Sequence, residues 1–172
     1  MLPSIQTIFY ATNLGPESPY VFRYALSLAK QYQASIHVYH ILEPLSETAK
    51  GLVEFYLSDQ EYKQRREKAR QELMNQLKQR LSSFCNEEAC KLEHQIPEAV
   101  SDVQVIEGRP AETILSTASR INADLIIMGT HRKLSEGRSK LLGSTARQVV
   151  NDSKIPVLTV HTPQDKLEEI QP

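Results

Sequence analysis

A chain of 172 residues, 40% of them hydrophobic, is long enough to bury one substantial core. Its 20 basic and 21 acidic residues leave a net charge of -1, which argues against a general nucleic-acid binder, because such proteins carry a basic excess or a basic face. No apolar run approaches the roughly 20 residues that span a bilayer, and the first residues, Met1 to Gln6, have neither a basic region nor a cleavable apolar core, so a cytoplasmic location is expected.

In chain order, the first strand is expected over 5–11. Ser18 as cap and Pro19 in the first turn then open a helix over 19–33, with Phe22, Ala25, Leu26 and Ala29 at helical spacing. A second strand follows over 35–42. The long stretch 44–97 starts as a mixed loop and becomes a charged helix near Ser58, where Ser58 and Glu61 have the spacing of a capping box. Its apolar line, Tyr62, Ala69, Leu73, Leu77, Leu81 and Phe84, is thin. Arg65, Arg66, Lys68, Arg70, Lys78 and Arg80 crowd the rest, but interleaved Glu61, Glu67 and Glu72 favour a solvated face over a nucleic-acid surface. Cys85 and Cys90 would need further ligands such as His94 to hold zinc, and read as free thiols. Beyond them lie a strand over 103–107, a helix from Pro110 with Ile114, Leu115, Ala118 and Ile121 on one stripe, a strand over 125–128, a short amphipathic segment over 146–150 and a last strand over 155–161.

Strands alternating with helices, several of them near-continuous apolar runs, predict an α/β fold: an open, mostly parallel five-stranded sheet between helices, doubly wound with right-handed crossovers. Ligands in such sheets bind beyond the carboxyl ends of the strands where the strand order reverses, here the ends of the first and fourth strands. The fourth strand runs into Gly129-Thr130-His131, then Gly137 and Gly143-Ser144-Thr145. A helix starting at that last triplet would aim unpaired N–H groups and its positive dipole end at an anion, though the same residues also serve ordinary turns and caps. Thr12 and Asn13 end the first strand and His40 and Ile41 the second. Neither His40 nor His131 has a Ser, Cys or Asp partner at triad spacing, and a histidine in such a place is more often satisfied by backbone than catalytic.

These residues carry a resemblance to the universal stress protein family. The opening Ile8-Phe9-Tyr10-Ala11-Thr12-Asn13, Tyr24-Ala25-Leu26, Val38-Tyr39-His40-Ile41, Gly108-Arg109-Pro110, the run 123–131, Leu141-Leu142-Gly143-Ser144 and the run 155–160 match its pattern, over nearly the whole chain apart from the charged helix and the tail. The resemblance implies a Rossmann-like sheet of the adenine-nucleotide alpha-hydrolase type over 1–161, with a helical insertion at about 45–97 and a polar tail over 162–172. In nucleotide-binding members an Asp ending strand one and the backbone ending strand two hold adenosine, and a G-x2-G-x9-G-S/T loop holds ribose and phosphates. It therefore implies that Asn13 and Ile41 lie at the adenosine end, and Gly129, Gly143, Ser144 and Thr145 around the phosphates; Thr12, Thr130, His131 and Arg132, beside them in the chain, complete the expected nucleotide-binding set. This chain departs twice: Asn13 replaces the acid, and Arg132 stands where the second glycine belongs, with one extra residue before Gly143. Arg132, Lys133, Arg138 and Lys140 against Glu136 give the loop a local basic excess, either a set of phosphate-binding cations or a solvated loop.

The expected function is that of a stress-response protein binding ATP or AMP, with Mg²⁺ entering only alongside ATP, and acting as a regulatory homodimer. No residue presents itself as a catalytic base, and slow ATP hydrolysis is the most activity expected. The competing expectation is an interaction module that kept the fold and lost the nucleotide. Signatures of an adenylating synthetase or an ATP pyrophosphatase are missing, and a phosphoacceptor receiver would need an aspartate at Asn13. Ile155 to Val160 would form an apolar sheet edge, and the resemblance implies that it pairs with a second copy.

Overall fold

A computed structural model describes residues 2–46, 48, 51, 60–91, 99–130, 142–163 and 166, with backbone alone at 60–63. Nine elements alternate along it: β1 (Thr7–Thr12), α1 (Ser18–Tyr32), β2 (Ser35–Leu42), α2 (Gln60–Lys91), β3 (Val100–Glu107), α3 (Pro110–Arg120), β4 (Leu125–Gly129), α4 (Ser144–Asp152) and β5 (Val157–Val160). The sheet runs β3-β2-β1-β4-β5 and every neighbouring pair is parallel. The expected doubly wound α/β architecture is present, and the order reverses between β1 and β4.

Strand β1 is central because both of its faces are apolar. Ile8 and Tyr10 point into one core with Val21, Phe22 and Leu26 of α1 and Leu81 of α2, while Phe9 and Ala11 point into the other with Ile114 and Ala118 of α3 and Val149 of α4. The alternation is the period of two of an extended strand, and parallel strands covered by crossover helices need no polar face. Phe9 stacks on Tyr39 at 4.7 Å in the second core, and Tyr10 on Phe22 at 5.2 Å in the first. The carboxylate of Asp124 accepts from the backbone N–H groups of Gln6 (2.8 Å) and Thr7 (2.9 Å), tying the entrance of β4 to that of β1.

Several boundaries differ from those expected. Strand β3 starts at Val100 rather than 103, with a register shift just inside it where Ile36 faces Val100 and His37 faces Asp102, and β5 starts at Val157 rather than 155. Ser18 is not the cap of α1: it is the first helical residue, Glu17 holds the cap position, and the Ser18 hydroxyl is drawn into the turn before it. At its other end α1 stops at Gln33, which takes φ 55°, while the N–H of Ala34 bonds the carbonyl of Ala29, a left-handed stop made without glycine.

Helix α2 overruns the predicted apolar line. Leu81, Cys85, Glu88 and Ala89 are buried and Phe84 packs on Phe22, but Ala69 and Leu73, expected to line the buried stripe, are exposed. Polar contacts hold that earlier part, with Arg70 bonded to Glu107 and Lys78 to Gln104 (3.4 Å) on edge strand β3. Glu88 receives Arg23 of α1 (3.0 Å) and Lys91 (2.7 Å), so the one carboxylate buried in this packing is doubly paired. Among the described residues no helix is long and apolar enough to cross a membrane. The Ser58 cap, His94 and the Tyr62 side chain fall outside the description.

Candidate nucleotide site at the strand crossover

The turn after β1 is wired by its own side chains. Thr12 Oγ1 donates to Ser18 Oγ (3.0 Å) and accepts from the N–H of Leu14 (3.1 Å), while Asn13 Oδ1 accepts from the N–H of Gly15 (2.9 Å). This is the local side-chain chemistry expected of Thr and Asn in turns, and it holds Leu14 at φ 56°, a left-handed conformation that costs a non-glycine residue about 1 kcal/mol. The Asn13 amide nitrogen donates to Glu17 Oε1 at 2.8 Å. The imidazole of His40 is tied to the same turn: its Nδ1 donates to the Thr12 carbonyl at 2.9 Å, the backbone-satisfied role weighed from the sequence. That bond fixes the neutral ring's other nitrogen as an acceptor.

Below the turn the carboxyl ends of β1, β2 and β4 and the starts of α1, α3 and α4 enclose a cavity of about 310 Å³, at the small end of the range for ligand sites. One wall is apolar, from Ile41, Pro110, Ile114 and Met128. Gly143, Ser144 and Thr145 at the start of α4 also line it, as do Thr12, Asn13 and Glu17. Helix α4 begins at Ser144 with no side-chain cap and no acid in its first turn, so the positive end of its dipole at this lining segment is unopposed by its own helix. Gly129 closes the floor under α1. A Cβ there would lie 3.2 Å from Val21 Cγ2, a close approach that favours glycine.

Seven of the ten expected site residues thus converge on one cavity: Thr12, Asn13, Ile41, Gly129, Gly143, Ser144 and Thr145. Thr130 does not line it; its N–H bonds the Val160 carbonyl at 3.0 Å and its hydroxyl lies 3.3 Å from His161 Nδ1. His131 and Arg132 lie outside the described residues, as do Lys133, Glu136, Gly137, Arg138 and Lys140 of the basic loop. Sequence reasoning passed over Glu17, Pro110, Ile114 and Met128 as lining groups. Pro110 and Ile114 were assigned to the start and stripe of α3, and a first helical turn following a strand end is the signal that would have placed them here. Among the described residues no three His, Cys, Asp or Glu side chains are grouped to hold a metal ion.

The universal stress protein family model matches residues 4–161. A universal stress protein of Thermus aquaticus is 48% identical over 59 residues, and the stress response protein NhaX of Bacillus subtilis 38% identical over 63, matches covering 34% and 37% of this chain. They span 42% and 37% of those relatives, less than half the length of either. A universal stress protein A homolog of Haemophilus influenzae is 24% identical over 153 residues, 89% of this chain and 94% of its own. Among solved structures, a universal stress protein in complex with cAMP superposes with a TM-score of 0.60 at 20% identity over 94% of this chain and all 100% of its own. The hypothetical protein MJ0577 gives 0.63 at 22% identity, over 94% and 99%. With the family model covering both strand ends and the loop between them, the chain belongs to the universal stress protein family.

Proposed function

We propose that this protein binds an adenine nucleotide, ATP or AMP, in the crossover cavity and serves the stress response as a ligand-responsive homodimer. The observation that carries the reading is the pairing, within the lining of one cavity, of the apolar side chains Ile41, Ile114 and Met128, which suit a base, with the uncapped start of α4, which suits phosphate. The solved family member bound to cAMP supports it from outside the chain. Mg²⁺ would arrive on the phosphates of ATP, because the described residues group no metal-binding set of their own. Isothermal titration with ATP, ADP, AMP and cAMP, with and without Mg²⁺, tests the reading. Saturable binding that Gly143→Val abolishes is the expected result; no heat with any of the four, from folded protein, overturns it.

One observation favours the interaction module instead. The Asn13 amide already bonds Gly15 and Glu17 within its own turn, which weakens its case as an adenosine ligand. The same titration separates the two readings. For the dimer, β5 is an edge strand, and its Val157 and Leu158 are only partly buried within the single chain. Pairing through Ile155 to Val160 of two copies should be broken by Val157→Lys, and an unchanged mass in sedimentation would rule this interface out.

A further inference from the structure

Helix α2 has more length than its neighbour in the sheet can cover. Its 32 residues span roughly 48 Å, whereas the 8 residues of β3 span about 26 Å. From 64 to 80 none of its side chains is buried, and Leu73 is 45% exposed. A lone exposed leucine is ordinary, but the order of residues around this one is not. Arg66, Leu73 and Arg80 recur at intervals of seven, and Ala69 and Gln76 fall between them at alternating steps of three and four. Residues so spaced lie along one line of a helix, the seam that a second helix packs against in a coiled coil. Arg66 is half-buried there and the other four are exposed. The stretch 64–80 also carries six cations against two acids, in a chain whose net charge is -1. Of these, Arg70 and Lys78 reach β3, and Glu67 is bonded to Arg70 at 3.0 Å.

We infer that this seam of α2 docks an acidic helix of a partner protein, which sets an aliphatic side chain against Leu73 and a carboxylate seven residues to either side of it, opposite Arg66 and Arg80. The guanidinium fork matches a carboxylate, and an apolar contact between two such pairs fixes their register. Charge selects this occupant over the alternatives. A second copy of the chain does not satisfy the seam: parallel pairing sets each arginine against its own counterpart, and antiparallel pairing centred on Leu73 sets Arg66 against Arg80, so like charges meet in both. A lipid surface gains little, because Leu73 is the one large apolar side chain exposed between 64 and 80. Nucleic acid would use the arginines but leave Leu73 in water, with Glu72 next to it along the chain.

The test is the fluorescence anisotropy of a labelled synthetic helix of about three heptads, with leucine at its centre and glutamate seven residues to either side, titrated with the whole protein at low salt. The same peptide with lysine for glutamate, a short DNA duplex and vesicles of phosphatidylserine and phosphatidylcholine are titrated beside it. The wild type should bind the glutamate peptide saturably and about tenfold or more tightly than the lysine peptide. Reversing both charges, Arg66→Glu with Arg80→Glu, should invert that preference, a gain that misfolding cannot imitate. Leu73→Ala should weaken the glutamate peptide about fivefold, while circular dichroism stays that of the wild type because the side chain is exposed. No saturable binding of the glutamate peptide by the wild type overturns the inference, as does a preference that survives the charge reversal. DNA or vesicles bound with an affinity indifferent to Leu73→Ala would overturn it in favour of a phosphate-binding face. A concentration-dependent rise in mass that Leu73→Ala removes would overturn it in favour of a second copy.

Discussion

Helices α1 and α2 cover the same face of the sheet by different means. In 15 residues α1 buries Val21, Phe22, Ala25, Leu26 and Ala29, whereas the 32 residues of α2 bury Leu81, Cys85, Glu88 and Ala89, all near its C-terminal end. Each large apolar side chain taken from water contributes about 1.5–3 kcal/mol, so the shorter helix is held more strongly. The difference also sorts the helices by role. The well-packed α1 places Glu17, Ser18 and Val21 at the cavity, while no described side chain of α2 lines it and α2 reaches the sheet beyond its packed end through edge contacts to Glu107 and Gln104.

The largest contrast should appear inside α2 itself. Burial pushes the Cys85 thiol up to about 12 from an ordinary 9, whereas Cys90, one turn on, is exposed. Three pKa units cut the thiolate fraction of Cys85 at pH 8 about a thousandfold, so a thiol reagent should modify one cysteine at once and the second only as the protein unfolds. The sign for stability follows: the Cys85 contribution is complete below pH 9, where the unfolded thiol is still neutral, and is lost as pH rises from 9 toward 12. Equal labelling rates for the two thiols would mean that the packed end of α2 opens freely.

Truncating Phe22→Ala, at the shared contact with Tyr10 and Phe84, should cost about 3–5 kcal/mol in urea unfolding. Within α2, Leu81→Ala should cost about 2–4 kcal/mol and Leu73→Ala less than about 0.5, although both leucines belong to the same heptad-like line. Comparable losses at both would show that the exposed stretch is covered in solution. Between these values, an Arg23→Ala and Glu88→Ala double-mutant cycle should give a coupling of about 1 kcal/mol, modest because Arg23 is 41% exposed and Lys91 remains to pair the acid.

The same comparison explains what was legible in the sequence. The stripe of α1 and the apolar runs of β1 and β4 have one reading each, because a strand buried on both faces and a helix buried on one leave plain periodicities. The line in α2 has helical spacing throughout, yet spacing cannot say whether a partner surface extends far enough to meet it, and here the sheet meets it only from Leu81 onward. At the site, glycines and strand ends were readable because chain geometry confines them to the crossover. Glu17 was not, since an acid near a helix start is ordinary capping chemistry until Asn13 is seen to hold it. Ser18 failed as a cap for the converse reason: Thr12, six residues back, engages its hydroxyl.

The tie between Asp124 and the N–H groups of Gln6 and Thr7 spans 118 and 117 residues. On a ribosome adding about 5–20 residues each second, the centre of the sheet therefore waits on the order of 6–25 seconds for its β4 neighbour to be made. During that time β1 can pair with β2 alone, and its other edge, carrying Ile8, Phe9 and Tyr10, is open to any passing strand. The newborn chain passes through a stretch of synthesis in which its central strand is only half enclosed, and that interval, more than the finished fold, is where a chaperone would have work to do.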